Sequence, residues 1–239
     1  MQRAFKQGIM VMPKALIILS GGQDSTTCLY WAKERYDEVV ALTFNYNQRH
    51  IREIESAKIV AKMAGVEHEI IDMGPIFAGL SPLTNLKLSV DSYNSQKDLP
   101  GGLEKTFVPG RNILFLSVAA NRAYVTGCDE MIIGVSEEDF GGYPDCRAEF
   151  IQKMEDALAS GLDKRITVKT PLVHLSKRKT VELAQSLKGC MEALAFTTTC
   201  YNGDIPPCGH CHSCLLRQKG FEEAGITDPL LARGLQDAR

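Results

Sequence analysis

Two stretches of this 239-residue chain combine residue types and spacings that suit chemistry. The first runs from Ser20 to Ser25 (SGGQDS) and lies between an apolar run and an amphipathic segment. Glycines have no Cβ, so successive backbone N–H groups of such a loop can approach an anion closely. The helix that follows adds the positive end of its dipole at the same point. We therefore expect a phosphate-binding loop that joins a strand to a helix.

Hydroxyl and carboxylate side chains complete this expected loop. Ser20 and Ser25 offer hydroxyl donors, and Asp24 is a candidate ligand for a magnesium ion shared with the phosphates. The alternative is an ordinary turn with Asp24 or Ser25 as the helix N-cap, but the six residues together favour phosphate binding. The stretch lacks both the Walker A pattern and the spacing of a dinucleotide loop. It resembles the pyrophosphate loop of ATP pyrophosphatases, which attach AMP to a substrate oxygen and release pyrophosphate.

The second stretch contains four of the eight cysteines: Cys200, Cys208, Cys211 and Cys214. Two-residue gaps direct pairs of sulfurs at one ion, and four thiolates complete a tetrahedral site, so we predict a structural zinc ion. An iron–sulfur cluster is the stronger alternative, and disulfides are disfavoured in a reducing compartment. His210 and His212 lie between the cysteines, and we expect both at the surface because four thiolates already fill the site.

The elements that must position these stretches alternate between strand and helix. Apolar runs predict strands at 14–19, 38–44, 66–71, 131–135 and 166–168. Helical periodicity is present at 25–35, 51–64, 112–124, 148–160 and 176–187. This alternation predicts an α/β fold with a doubly wound parallel sheet of about five strands. Such sheets bind ligands at the carboxyl ends of their strands, which is where the SGGQDS loop lies.

Length and charge narrow the class of protein. We expect a nucleotide-binding domain at 14–187, a zinc-binding region at 188–239 packed on it, and an N-terminal extension at 1–13. The net charge of −2 provides no broad basic surface, so we expect no nucleic-acid partner. No apolar run reaches the ~20 residues of a membrane span. The sequence shows no signal peptide, and we expect a cytoplasmic protein.

Three further segments are predicted to lie near the ligand-binding edge of the sheet. Residues 44–50 follow the second predicted strand, and residues 109–112 open a helix where Arg111 is a candidate phosphate clamp. The first segment also fits a polar turn, and the second fits a helix start capped by Asn112. Residues 139–147 combine aromatic, carboxylate and arginine side chains around glycines, which suits a planar heterocycle.

Together these segments resemble one family, the 7-cyano-7-deazaguanine synthases, from about residue 15 to 217. The resemblance is carried by residues 20–29, by the residues from Thr43 to His50, by Thr106 to Asn112, by Gly142 to Arg147, and by Cys200-Tyr201-Asn202-Gly203 with three further cysteines. The sequence departs from the family pattern in its extension, in Asn45 and Asn47, and in a cysteine gap one residue shorter. These departures leave the phosphate loop and the cysteines intact.

The resemblance implies an ATP-dependent carbon–nitrogen ligase of queuosine precursor synthesis. Its fold would be adenine nucleotide alpha-hydrolase-like, with a small zinc-binding helical region at the C-terminus. It would convert 7-carboxy-7-deazaguanine, ammonia and ATP with magnesium into 7-cyano-7-deazaguanine, through an activated carboxylate and an amide. A homodimer that contacts neither nucleic acid nor membrane is expected.

The resemblance also implies roles for individual residues. Asp24 and Ser25 are the expected catalytic residues. The ATP site would contain Leu19, Ser20, Gly21, Gly22, Gln23, Asp24, Ser25, Thr26, Arg111 and Lys177. The heterocycle would contact Tyr46, Gln48, Arg49, Tyr143, Asp145 and Arg147, and zinc would be held by Cys200, Cys208, Cys211 and Cys214.

Two functions from other classes stay open at the level of sequence. A tRNA-thiolating enzyme shares the loop and often carries cysteine pairs, but it should also show a basic face and a catalytic thiol. A non-catalytic nucleotide-sensing domain with a zinc knuckle would bind ATP without turnover.

Overall fold

The computed structural model describes residues 5–6, 9–10, 14–77, 79–137 and 143–237. Inside the expected extension, β1 (Phe5–Lys6) and β2 (Ile9–Met10) pair as short antiparallel strands. A second sheet contains β3 (Lys14–Ile18), β4 (Glu38–Asn45), β5 (Glu67–Asp72), β6 (Glu130–Ile132) and β7 (Thr167–Lys169). Its order is β5-β4-β3-β6-β7 and every pair is parallel, which confirms the predicted five-stranded sheet.

Helices cover both faces of this sheet. They are α1 (Gln23–Lys33), α2 (Glu53–Ala64), α3 (Arg111–Thr126), α4 (Ala148–Leu162), α5 (Lys177–Ser186), α6 (Cys190–Leu194), α7 (His212–Ala224) and α8 (Pro229–Asp237). One apolar core joins α1, α2, α5, α6 and α7 to the sheet, and a second joins α3 and α4 to its other face. The inner strand β4 is almost continuously apolar and buried because both of its faces are covered.

The change of helix side creates the crevice that matters for function. Helices α1 and α2 lie on one face, whereas α3 and α4 lie on the other, so the order of the strands reverses next to β3, which lies between β4 and β6. Ligands of open α/β sheets bind at this reversal. A Cβ at Gly134, just after β6, would lie 3.0 Å from the backbone of α1, so the missing side chain lets β6 approach the start of α1.

The long segment between β5 and α3 is irregular, but it is well attached. Its described part contains one short 3₁₀ turn, Gln96–Asp98. Ser81 Oγ donates to the carbonyl of Thr106, and Leu83 is fully buried. Phe77 meets the Tyr46 ring edge-on with centroids 5.5 Å apart, so this covering segment packs on a residue that lines the site.

The C-terminal region packs against the α/β domain through a shared core. Leu194 and Phe221 belong to the same apolar core as Leu29 of α1 and Val181 of α5. Among the described residues, no helix has the length and apolar character to cross a membrane.

Candidate active site

A cavity of about 640 Å³ opens at the carboxyl ends of β3, β4 and β6. Its wall is formed by the loop after β3, the chain between β4 and α2, the starts of α3 and α5, and the segment around the cysteines. Residues far apart in sequence therefore meet at the predicted ligand-binding edge of the sheet.

The SGGQDS loop forms one end of this cavity. The hydroxyls of Ser20 and Ser25 are 3.0 Å apart, and Ser25 Oγ accepts the Ser20 N–H at 3.2 Å. Gly22 is the N-cap of α1 and provides no side-chain cap, so neither Asp24 nor Ser25 has that role. The first N–H groups of α1 therefore stay available, and an anion at this position would satisfy them.

Gly21 allows the loop to dock on α2. Its φ of +91° is in the left-handed region, and a Cβ built on it would lie 2.2 Å from the carbonyl oxygen of Glu53. From the other side, Thr198 N–H donates to the Gly21 carbonyl at 3.0 Å, and Thr198 Oγ1 lies 2.7 Å from Ser56 Oγ. The loop is thus fixed between α2 and the chain that precedes the cysteines.

Asp24 presents one engaged and one free carboxylate oxygen. Lys177 Nζ, from the first residue of α5, donates to Asp24 Oδ2 at 2.7 Å. Asp24 Oδ1 is buried and has no hydrogen-bond partner among the described residues. A buried, unpartnered carboxylate oxygen beside a phosphate loop fits a magnesium ligand. Ser176 supports this arrangement as the N-cap of α5, accepting from Lys179 N at 3.3 Å.

Arg111 lies at the opposite end of the cavity, at the start of α3. Its guanidinium hydrogen-bonds to the hydroxyl of Tyr46. Burial by itself would lower the pKa of Arg111. Tyr46 and Asp145 outweigh burial, so the pKa lies above its usual value. Asp145 is buried, and its Oδ2 accepts the backbone N–H of Asn112 at 3.3 Å. This end of the cavity therefore contains a fixed cation.

Aromatic rings surround this cation. Phe44 and Phe115 stack with centroids 4.3 Å apart, and Tyr46 meets Phe115 edge-on at 5.4 Å. Tyr143 lies 2.6 Å from Thr106 through their hydroxyls and also hydrogen-bonds to Tyr201. Burial raises the pKa of Tyr46 to about 12 and also raises the pKa values of Tyr143 and Tyr201, so these phenols stay neutral at physiological pH. Flat apolar walls with polar edges suit a planar heterocycle.

The four predicted cysteines converge. The Sγ atoms of Cys200, Cys208, Cys211 and Cys214 all lie within 4.8 Å of one another. The Cys208 and Cys214 sulfurs are 3.9 Å apart, close to the ~3.8 Å edge of a tetrahedron with zinc–sulfur bonds of about 2.3 Å. Cys211 N–H donates to Cys208 Sγ at 3.4 Å. This donor set fits one metal ion in a closed site.

One expectation about this region is wrong. His212 is buried, with its Nδ1 3.2 Å from an oxygen of buried Glu104, whereas His210 is exposed as expected. Burial lowers the pKa of His212 to about 4, so the ring is neutral. Burial raises the pKa of Glu104, which also accepts from Tyr93 at 3.1 Å. The histidine thus links the cysteine region to the covering segment between β5 and α3.

A known protein family matches this chain. The family model for the queuosine biosynthesis protein QueC matches residues 14–225, most of the chain. This chain belongs to the QueC family. The family match spans both the phosphate loop and the cysteines.

Relatives resemble the chain along nearly its whole length. The 7-cyano-7-deazaguanine synthase of Chromobacterium violaceum is 48% identical over 229 residues, which is 95% of this chain and 96% of that protein. The synthase of Gloeobacter violaceus is 49% identical over 225 residues, 92% of this chain and 96% of that protein. A solved structure, a predicted subunit of tRNA methyltransferase from Methanocaldococcus jannaschii, has 17% identity and a TM-score of 0.48 over 73% of this chain and 75% of its own.

The structure brings most of the predicted site residues to the cavity. Those in its wall are Leu19, Ser20, Gly22, Gln23, Asp24, Ser25, Tyr46, Arg111, Tyr143, Arg147 and Lys177. Gly21, Thr26, Gln48, Arg49 and Asp145 are outside the wall. Arg49 instead donates to carbonyls of the covering segment, including that of Pro82 at 2.8 Å. Part of segment 139–147 lies outside the described residues, which resume at Tyr143.

Other residues of the wall were missed from the sequence. They include His50, Glu53, Thr198, Thr199, Tyr201 and Arg217. Arg217 is buried, pairs with Asp228 at 2.6 Å and donates to Thr197 Oγ1 at 2.7 Å. A run of threonines stands directly before Cys200 in the sequence. Its place next to a predicted metal ligand was the signal that could have identified Thr198 and Thr199.

Proposed function

We propose that this chain is an ATP-dependent ligase that converts 7-carboxy-7-deazaguanine and ammonia into 7-cyano-7-deazaguanine. The family and the synthases that resemble the chain over its length support this proposal. The observation that carries it is one cavity with a phosphate loop at one end and an aromatic wall around a cation at the other. ATP and a planar anionic substrate can therefore meet in one enclosure.

The phosphate end would hold the departing part of ATP. Backbone N–H groups at the start of α1, the hydroxyls of Ser20 and Ser25, and Lys177 would bind the β and γ phosphates. Asp24 would hold magnesium through its free oxygen, and the ion would neutralise charge on the phosphates when bound. Without a Walker lysine, the loop would anchor pyrophosphate and leave the α phosphorus open to attack.

The aromatic end would hold the deazapurine. Tyr46, Tyr143 and Tyr201 offer ring faces and neutral hydroxyls, and Arg147 at the rim offers further donors. A carboxylate is a poor electrophile, but its AMP ester has a good leaving group that ammonia can displace. A second activation on the amide oxygen would allow loss of AMP to give the nitrile.

The cysteine site would hold zinc in a structural role. Four converging thiolates leave no open position for water, which is the pattern of closed zinc sites. The ion would fix Tyr201 next to Cys200 and α7 through Cys214. The homodimer and the cytoplasmic location also stay predictions, and light scattering of the purified protein tests the first.

The tRNA-thiolating alternative is not favoured. The named relatives are synthases of a small molecule, and the net charge of −2 gives no broad basic face. A nucleotide-sensing domain is disfavoured because the cavity that contains the phosphate loop also has an aromatic wall suited to a heterocycle.

The decisive experiment supplies the purified protein with 7-carboxy-7-deazaguanine, ammonium and ATP and follows products by chromatography. We expect AMP and pyrophosphate, with an amide that accumulates and is then consumed as the nitrile forms. ADP and phosphate as the early products would replace adenylation with phosphorylation. No turnover of the carboxylate under any condition would reject the proposed function itself.

A further inference from the structure

The proposed reaction presents the same cavity with two different substrates. The first is a carboxylate anion, and the second is the neutral amide made from it. A group that recognises the carboxylate should matter in the first round and not in the second. The following inference rests on the proposed function and concerns which residue reads that negative charge.

Arg111 has the features of a carboxylate receptor. Its guanidinium lines the cavity, it stays charged at any physiological pH, and no described carboxylate forms an ion pair with it. A guanidinium in the wall of a cavity, with no ion pair to a described carboxylate, can form charge-assisted hydrogen bonds with the carboxylate of a ligand. The cavity therefore favours a negative group at this position.

The neighbours of Arg111 keep its donors directed at the cavity. Asp145 is a charged group that acts on it, but that carboxylate already accepts the backbone N–H of Asn112 at 3.3 Å. Tyr46, buried and neutral, shares a hydrogen bond with the guanidinium and restricts its position. An arginine offers five N–H donors, so donors remain for a ligand.

The location of Arg111 separates it from the phosphate machinery. Its contacts and electrostatic neighbours are Tyr46, Tyr143, Asp145 and Cys146, all at the aromatic end. The phosphate loop has its own cation, Lys177, which is 2.7 Å from Asp24. Two cations at two ends of one cavity match two anionic substrates, ATP and the carboxylated heterocycle.

We propose that Arg111 binds the oxygen of the substrate carboxylate that is not transferred to AMP. The other oxygen attacks the α phosphorus, an O–P bond forms, and the bond to pyrophosphate breaks with its electron pair leaving on pyrophosphate. Ammonium first releases a proton to solvent. The nitrogen of ammonia then attacks the carbonyl carbon, and the C=O electron pair moves onto the oxygen held by Arg111. That pair returns as the bond to AMP breaks, AMP leaves with the bonding electrons, and the nitrogen loses one more proton to give the amide.

In this arrangement Arg111 has two tasks in the first round. It orients the anionic carboxylate, and it stabilises the negative charge that forms on the same oxygen during ammonia attack. In the second round the amide is neutral and its oxygen must turn to the phosphorus, so Arg111 has no anion to bind. The arginine is thus a specificity residue for one of two successive half-reactions.

The test supplies each substrate separately to the holoenzyme. R111M removes the charge with little change in side-chain volume, and R111K keeps the charge but loses the planar pair of donors. For R111M we expect kcat/KM for the carboxylate to fall by about 100-fold or more, as for loss of an oxyanion donor. Conversion of the purified amide to the nitrile should stay within about threefold of wild type. R111K should show a smaller loss, confined to the carboxylate.

A binding measurement without ATP gives an independent readout. Calorimetry should show that wild type prefers the carboxylate to the nitrile by about 10- to 100-fold, the size of a charge-assisted hydrogen bond. R111M should remove that preference. R122M is the matched control, because Arg122 lies on the same helix α3 outside the cavity and pairs with Glu69 at 3.1 Å.

Each contrary result has a defined meaning. Equal losses with carboxylate and amide would assign Arg111 to ATP, and unchanged turnover of both would remove it from recognition; either overturns the inference. If R111M does not fold, as judged by zinc content and circular dichroism, the R111K ratio of carboxylate to amide turnover decides. Wild type that converts neither substrate would reject the proposed function instead.

Discussion

The two ends of the cavity are built in different ways. The phosphate end is mostly one continuous stretch, residues 20–25, placed by the strand before it and the helix after it. The aromatic end is assembled from residues near 46, 111, 143 and 201, which approach only when the sheet and the cysteine region are complete. A local site depends on its own backbone, whereas an assembled site depends on every element that contributes to it.

The largest expected effect comes from the metal site, because it supports the assembled end. Cys208→Ser should lower zinc content sharply and unfold the C-terminal region, since binding of a structural zinc ion contributes on the order of 10 kcal/mol. We expect heterocycle binding to be lost before nucleotide binding is. Elemental analysis, thermal unfolding and calorimetry with each ligand test this order.

His210→Gln is a suitable control for that variant, since His210 is an exposed histidine within the same stretch. It should retain zinc and both ligands. If Cys208→Ser kept full heterocycle affinity, the aromatic end would be independent of the metal site, and the comparison above would fail. Iron with acid-labile sulfide would instead favour the thiolation alternative.

The second-largest effect is expected at the phosphate end of the cavity. Asp24→Asn keeps the shape of the side chain but removes the charge proposed to hold magnesium, so adenylation should fall by about 1,000-fold while the fold is kept. Heterocycle binding in the absence of ATP should not change. Pyrophosphate release and circular dichroism check the two halves of this expectation, and near wild-type turnover would defeat the magnesium assignment.

A smaller effect is expected inside the aromatic wall. Tyr143→Phe removes one hydroxyl and leaves Thr106 and Tyr201 without that partner, which costs about 1 kcal/mol. We expect a several-fold rise in KM for the carboxylate and no change in KM for ATP. Steady-state kinetics with each substrate varied in turn would show it. A rise in the KM for ATP alone would place Tyr143 with the nucleotide.

The smallest effect is expected from a substitution at the start of a helix. Ser176→Ala removes the N-cap of α5 and should destabilise the protein by about 1 kcal/mol. Because α5 begins with Lys177, the KM for ATP should rise slightly. Ser186→Ala, at the other end of α5, is the control, since Ser186 Oγ only donates to the carbonyl of Leu183. Thermal melts of the two variants should differ, and equal melting temperatures would contradict the cap.

The contrast between the phosphate end and the aromatic end also explains how much of the fold and of the site could be predicted from the sequence. The strands, the phosphate loop and the converging cysteines have local signals, and the structure confirms the parallel sheet and the cysteine cluster. Tyr201 reaches the cavity through long-range packing that no spacing reveals. His212 was misjudged because its partner Glu104 is over a hundred residues away in sequence.

Arg49 shows the same limit of sequence-based prediction for a charged residue. Its charge and position after β4 suggested contact with substrate. The structure shows it donating to backbone carbonyls of the covering segment, where its several donors hold an irregular chain in place. Residue type alone does not separate binding a ligand from binding a neighbouring loop.

The tight contact at Gly21 limits which sequences this protein can reach by point mutation. A single added methyl group at position 21 would need both a left-handed backbone and space already filled by the Glu53 carbonyl, 2.2 Å away. Relief would require α2 to move, and α2 is fixed by its apolar contacts with the sheet. Substitutions of Ser20, Asp24 or Ser25 change side-chain hydrogen bonds, whereas any substitution at Gly21 has to be matched by a simultaneous change in a neighbouring helix.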